Sequence, residues 1–316
     1  MRKYRVLVLM SSYNGEKYIS EQIVSILNQE GVNVHLLIRD DGSKDNTCPI
    51  IQNFNDDRIT LIKGNNIGCI DSFSSLVKEA VNLTNEYDYF AFSDQDDVWL
   101  SKKLFAGINK LTEVKDKTKP LLYACNLNIV DANNNFITIS HQNNLTIRKG
   151  GLLVDSKFPG CAMIFNAKAV QYYNSKPPRG GLYHDHWLAL ICLFFGKIIY
   201  DSQPYINYRQ HANNVLGAHH FLLSKQDEFK GKLKDFFQEK DTIPHNAKEV
   251  GAFLDSFKPE MKDEDIRILE TYLNYNKSFK NRLLYAFHYT YFPAEGGKGY
   301  FKHVLLHVIR TFLNKI

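Results

Sequence analysis

The chain has 316 residues, 44% hydrophobic and 23% charged, with a net charge of +5. That balance excludes a disordered chain, and the length allows one large domain or one domain with an appendage. No run of about 18 apolar residues occurs, so no membrane-spanning helix is expected. The five scattered cysteines lack any Cys-x-x-Cys pair, which points to free thiols in a reducing compartment.

The basic, apolar opening is too short for an export signal before Ser11 and reads as a first strand, Tyr4 to Met10. Tyr18, Ile19, Ile23, Ile26 and Leu27 recur at helical spacing, so a helix is predicted over Glu16 to Asn28. A strand follows over Val32 to Ile38, then a short helix and the strand Arg58 to Ile62. Ile70, Phe73, Leu76, Val77 and Ala80 mark the next helix, and Tyr87 to Phe92 the next strand. This alternation predicts a parallel sheet with helices on both faces. Beyond Lys119 the pattern is mixed. Strands are predicted at Leu121 to Asn126 and Ile129 to Ile139, the second carrying a turn at Asp131 to Asn135. Phe158 to Phe165 reads as a glycine-containing stretch entering a strand, His184 to Phe195 as an apolar helix, and Lys197 to Arg209 as two strands. Charged helices are predicted at Lys225 to Lys240 and Asp263 to Phe279, so the boundary falls near residue 217.

Parallel crossovers bring the loops Ser11–Glu16, Asp40–Asn46 and Asp94–Asp97 to one rim, where open α/β sheets bind ligands. Three carboxylates lie within Asp94-Gln95-Asp96-Asp97, directly after an aromatic strand. Closely spaced hard oxygen ligands suit Mg²⁺ or Mn²⁺ bridging to phosphates, although Asp also favours plain turns. Asp40 and Asp41 head a turn, and either carboxylate can also accept the N3–H of a pyrimidine base. Asn66 and Gly68 form a loop before a helix, at a strand end that can line the same site. Asp185 opens an apolar helix, where the helix dipole stabilises it; it is equally placed to act as a general base. His211 follows Arg209 after the last strand and suits a group closing over a metal-bound diphosphate.

From Lys277 to Ile316 there are seven Lys or Arg against Glu295 alone, a net of +6. Within Tyr300 to Ile316, Phe301, Val304, Leu305, Val308, Ile309, Phe312 and Ile316 share one helical face. His303, His307, Arg310 and Asn314 share the other. Docking on the protein's own core and lying in a membrane interface both fit this pattern. No nucleic-acid recognition motif accompanies the basic residues, so no nucleic-acid partner is expected.

The ordered set Ser12-Tyr13-Asn14-Gly15, Asp40-Asp41-Gly42-Ser43, Ser93-Asp94-Gln95-Asp96-Asp97-Val98-Trp99, His184-Asp185-His186-Trp187 and Tyr208-Arg209-Gln210-His211 resembles family-2 glycosyltransferases of GT-A fold. More narrowly it resembles bacterial rhamnosyltransferases of cell-wall or capsular polysaccharide. The resemblance implies an α/β fold with a mixed, mostly parallel sheet over residues 1–217, and a helical C-terminal region over 218–316. It implies an inverting, metal-dependent transfer, best matched by dTDP-L-rhamnose, to a glycan or lipid-linked acceptor. The enzyme would then be cytoplasmic and peripheral on the inner membrane face, with its tail on the lipid. Asp185 would be the base. Asp94 and Asp96, with His211, would hold Mg²⁺ or Mn²⁺. Ser12, Tyr13, Asn14, Asp40 or Asp41, Asn66, Gly68, Asp94, Gln95, Trp99 and Arg209 would line the nucleotide-sugar site. His184 departs from the family pattern, which often has Glu there. A UDP-hexose or UDP-N-acetylhexosamine transferase of the same fold is the first alternative, and a non-catalytic sugar-nucleotide-binding subunit the second.

Overall fold

Val6 to Met10 are at most 1% exposed, which requires a strand covered on both faces. They form the middle of β1 (Tyr4–Ser12), and in this computed structural model β1 lies between two parallel neighbours. The structure describes residues 3–141, 144–154, 158–179, 181, 183–211, 246–292 and 300–312. They fall into two compact units, one of Met1–Ser140 with Phe158–Arg209, the other of His141–Lys157 with Gln210–Ile316. Residues 212–217, at the boundary expected from sequence, and the charged segment Lys225 to Lys240 lie outside the described residues.

In the first unit β2 (Val32–Asp40), β3 (Ile59–Lys63) and β4 (Tyr89–Ser93) complete a parallel half-sheet, ordered β3-β2-β1-β4. The helices between them, α1 (Ile19–Leu27), α2 (Thr47–Asn53) and α3 (Cys69–Asn82), are crossovers, and α3 buries the stripe Phe73, Leu76, Val77 and Ala80. The chain then runs through the two-residue strand β5 (Val98–Trp99), α4 (Lys103–Thr112) and β6 (Leu121–Val130). β7 (Phe136–Ile139) folds back on β6 through the predicted turn, where the Asp131 carboxylate accepts the Asn133 and Asn135 N–H groups and Asn134 takes φ 66°. After α5 (Gly151–Val154) of the second unit come β8 (Met163–Asn166), α6 (Ala167–Ser175), α7 (His184–Phe195) and β9 (Lys197–Arg209).

Beyond β4 the sheet is mixed and continues β8-β6-β9-β5. β8 runs antiparallel to both β4 and β6, whereas β6 and β9 are parallel. The sequence divides Lys197 to Arg209 into two strands; in the structure it is one strand, β9. The break there is a bulge, with Cys125 opposite Asp201 and Asn126 opposite Pro204. A bulge tolerates Pro204, which has no N–H for the ladder. The first predicted strand of this region, Leu121 to Asn126, likewise runs on to Val130 without a break.

Gly196 ends α7 against the strand connection, and a Cβ there would stand 1.7 Å from the Pro120 carbonyl oxygen. That oxygen also accepts the Lys197 N–H at 3.0 Å, so it cannot move aside without losing the β6–β9 start. Gly196→Ala is expected to cost more than about 4 kcal/mol, the range reserved for severe backbone conflicts, read as a lost or strongly lowered denaturation midpoint.

The second unit contains α8 (Ala247–Phe257), α9 (Asp263–Leu273), α10 (Phe279–Phe287) and α11 (Tyr300–Phe312). A half-buried ion pair between Lys149 and Asp265 and the Tyr291 hydroxyl on the Ile268 carbonyl, at 2.9 Å, tie its parts together. The expected helix Asp263 to Phe279 stops at Leu273, and a short 3-10 turn, Tyr275–Lys277, separates it from α10. Among the described residues no helix is long and apolar enough to cross a membrane, and all five cysteines are free.

Candidate active site

Parallel register sets the site. Ser12 ends β1 opposite Asp40 at the end of β2, and Ser93 ends β4 beside Met10, so three loops leave one rim. Side chains lock the first two loops together. Asn14 takes φ 48° and its side chain accepts the Lys44 N–H at 2.8 Å. Its own N–H donates to Ser43 Oγ at 2.9 Å, and the Gly15 N–H to Thr47 Oγ1 at 2.7 Å. Gln95 clasps the Tyr13 backbone, accepting its N–H at 2.9 Å and donating to its carbonyl at 3.0 Å. The Tyr13 ring remains 44% exposed on the rim.

The two adjacent acids of the second loop differ. Asp40 accepts the N–H groups of Gly42 and Ser43 and the hydroxyls of Ser43 and Ser12. Burial would raise its pKa, but these donors, with the Cys48 thiol, bring it below the ordinary value. Asp41 pairs with Arg39 and accepts the Ile67 and Gly68 N–H groups, each at 2.9 Å. It therefore fastens the exposed Asn66–Gly68 loop, in which Gly68 has φ 86°, to the rim.

The acidic run is fixed at both ends. β4 holds Ser93, and β5 pairs antiparallel with β9 through Val98–Asn207 and Trp99–Ile206. Antiparallel pairing turns the start of β8 toward the same rim, which brings Gly160 and Cys161 to the carboxylates. Ligand atoms of Asp94, Asp97 and Cys161 lie within 4.8 Å of one another. Burial, then the charges of Asp96 and Asp185, push Asp94 up to about 7. Asp97 is fully buried and rises well above the usual carboxylate range, by burial first and then by Asp96 and Asp94. One of its oxygens accepts the Arg209 N–H at 3.1 Å; the other has no hydrogen-bond partner among the described residues. Repelling carboxylates around an orphaned buried oxygen are what a bound cation would satisfy, so the donor set fits a hard divalent ion. Cys161 fits it less well: burial, then Asp97 and Asp94, hold its thiol well above its ordinary pKa, so it stays protonated.

Asp185 reaches the site from α7. Its carboxylate accepts the Gly160 N–H at 3.1 Å and its neighbour's, His186, at 2.7 Å. Burial raises its pKa to about 6, against those two bonds. Its charge bears on Asp94, and Asp94, Asp185 and Asp41 together act, after burial, to raise the Cys69 thiol at the start of α3. The carboxylates therefore ring the N-terminus of a helix. His184, the departure from the family pattern, points into the core. It stacks on Phe73 with ring centres 3.7 Å apart, and burial pushes it down to about 3, so it stays neutral. A Cβ on Gly160 would stand 2.6 Å from His184 Nε2. Glycine there admits the imidazole while its N–H holds Asp185.

Two sequence candidates sit inside the fold. Trp99 is 3% exposed, beneath the Lys103 ammonium at 3.2 Å from its ring centre. Arg209, 2% exposed, holds the Asp96 and Ala132 carbonyls at 2.8 and 3.0 Å and pairs with Glu21 at 2.5 Å. Its guanidinium braces the acidic loop. His211 belongs to the second unit. Asp97 was expected only as one of three neighbouring carboxylates, and Cys161 and Tyr208 carried no expected role. Asp97 stood in the acidic run itself, and Tyr208 feels the charges of Cys161, Asp97, Asp94 and Asp96 after its own burial. Lys103 is fully buried, and its ammonium has no hydrogen-bond partner among the described residues; burial pushes it down to about 8.

The model of glycosyl transferase family 2 matches residues 7–172, more than half of the chain. The chain belongs to that family. This glycosyltransferase is 30% identical over 226 residues to the dTDP-rhamnosyl transferase RfbG of Shigella flexneri, covering 66% of this chain and 74% of that protein. It is 37% identical over 114 residues to WfgD of Escherichia coli, a UDP-Glc:alpha-D-GlcNAc-diphosphoundecaprenol beta-1,3-glucosyltransferase, covering 35% and 42% of the two chains. A structure of S. aureus TarS 1-349 with UDP-GlcNAc superposes with a TM-score of 0.58 at 13% identity, over 99% of this chain and 82% of that one. The glycosyltransferase thus has the GT-A fold predicted from sequence.

Proposed function

We propose that this glycosyltransferase moves L-rhamnose from dTDP-L-rhamnose to a hydroxyl of a growing or lipid-linked glycan in polysaccharide synthesis, with inversion and with Mg²⁺ or Mn²⁺. The observation that carries the reading is Asp185. A carboxylate raised by burial to about 6, oriented by two backbone N–H groups and near enough for its charge to raise Asp94, is suited to act as a general base. Asp94 and Asp96 would hold the cation, beside the unpartnered oxygen of Asp97. When bound, the ion neutralises charge on the departing diphosphate. Asp41 retains acceptor capacity beyond its three bonds, and it takes the thymine N3–H while the exposed Tyr13 ring lies against the base. Ser12, Asn14, Asn66, Gly68 and Gln95 shape that pocket. Asp185 accepts the acceptor hydroxyl's proton as its oxygen attacks the anomeric carbon from the side opposite the leaving diphosphate. The acceptor is carried on the inner face of the cell membrane, where the basic tail of the C-terminal region 218–316, from Lys277 onward, meets the lipid.

The likeness to RfbG over three quarters of that protein supports the rhamnosyl donor. The likeness to WfgD favours a second reading, a UDP-glucose transferase on the same site. Donor binding and hydrolysis across dTDP-L-rhamnose, UDP-glucose, UDP-galactose and UDP-N-acetylglucosamine, with and without Mn²⁺, separates the two. Metal-dependent preference for dTDP-L-rhamnose is expected. Preference for a UDP-sugar moves the function to the second reading, and no response to any donor contradicts both.

A further inference from the structure

The amphipathic sense of α11 is inverted in the structure. His307 and Thr311 are buried, with His307 Nε2 bonded to the Tyr285 carbonyl at 3.0 Å and Thr311 Oγ1 donating to the His307 carbonyl at 2.8 Å. Leu305, Ile309 and Phe312 point outward. α10 packs inward through Tyr285 and Ala286 and turns Phe279, Leu283, Leu284 and Phe287 outward. Phe287 and Phe312 join the two helices, their ring centres 6.0 Å apart. These seven large apolar side chains are between 36% and 71% exposed. An apolar face of this extent is a docking surface rather than scatter.

Charge selects its occupant. Lys277 and Lys280 are exposed at the start of α10, Arg282 is half-buried beside them, and the segment from Lys277 onward carries +6. A second copy would bring that charge against itself, whereas an anionic bilayer complements it. We propose that α10 and α11 together form a membrane-docking face, inserting Phe279, Leu283, Leu284, Phe287, Leu305, Ile309 and Phe312 at the headgroup boundary of an anionic membrane. Lys and Arg at its rim attract anionic headgroups, and the aromatic rings suit the interface. The inference deepens the lipid-linked acceptor reading and rests on it for its purpose.

Co-sedimentation of the full chain with vesicles tests it. Binding to phosphatidylcholine vesicles carrying phosphatidylglycerol is expected, and it should weaken in high salt and be lost on pure phosphatidylcholine. The double variant Phe279→Ser with Leu305→Ser should bind at least about 10-fold more weakly, with unchanged donor hydrolysis and thermal midpoint, since both side chains are among the most exposed of the face. Lys280→Glu should weaken binding to anionic vesicles alone. Equal binding to neutral vesicles, equal binding by the double variant, or a wild-type dimer that the double variant dissolves would each overturn the proposal. Donor hydrolysis is read in the same samples, so failure of the transferase reading shows separately from failure of docking.

Discussion

Asp185→Asn is expected to lower transfer by about 10³-fold, within the range a positioned base contributes, while donor affinity changes only a few-fold. The variant keeps the shape of the side chain. Its amide oxygen can still accept one of the N–H groups of Gly160 and His186, and the other loses a partner at a cost of about 1 kcal/mol. Stopped chemistry with retained donor binding is therefore the signature, measured by single-turnover transfer beside equilibrium binding. Equal loss of both would make Asp185 a donor-binding residue. The wild-type pH profile carries the same information. The base acts ionised, so kcat/KM should fall as pH drops through about 6. Stability moves the other way. A carboxyl whose folded pKa lies above its unfolded value binds more protons when folded, so its contribution grows as pH falls through that window. Opposed trends in activity and thermal midpoint near pH 6 distinguish a buried base from general acid unfolding.

Asp94→Asn should separate binding from stability in a different sense. Burial, Asp96 and Asp185 already disfavour its charge, holding it near 7. A neutral side chain of the same size relieves that repulsion, so the metal-free protein should melt at the same temperature or higher. Metal-dependent donor binding should fall by more than about 100-fold, beyond the effect of losing a group that only orients a ligand. Calorimetric titration with Mn²⁺ and nucleoside diphosphate, beside thermal melts without metal, reads both. A lower melting point with metal-dependent donor binding retained would mean that Asp94 serves the fold.

The parallel half of the sheet was legible because its strands are covered on both faces and read as continuous apolar runs, as in Val6 to Met10 and Tyr89 to Phe92. The acidic loop was legible because its carboxylates adjoin in sequence. Gly160, Cys161 and Asp185 were harder to unite with it. Their place depends on β8 running antiparallel beside β4, a pairing that no local periodicity specifies. The residue pattern also could not divide Asp40 from Asp41, since both are turn-formers. Their difference lies in which distant N–H groups reach each one, Ser43 and Gly42 for the first, Ile67 and Gly68 for the second. Arg209 and Trp99 stand in motif positions, yet tertiary packing buries both, Arg209 on the Asp96 carbonyl and Trp99 under the Lys103 ammonium. The outward apolar face of α11 was read from its period, but its direction was set by His307 finding a carbonyl on α10.

The anomeric configuration of the purified product tests the central claim most directly, because a single base and a single displacement leave only one stereochemical outcome. Proton NMR of the new glycosidic linkage should show the configuration opposite to that of the donor. A product of retained configuration would require an enzyme nucleophile and a second displacement, and would contradict the role given to Asp185.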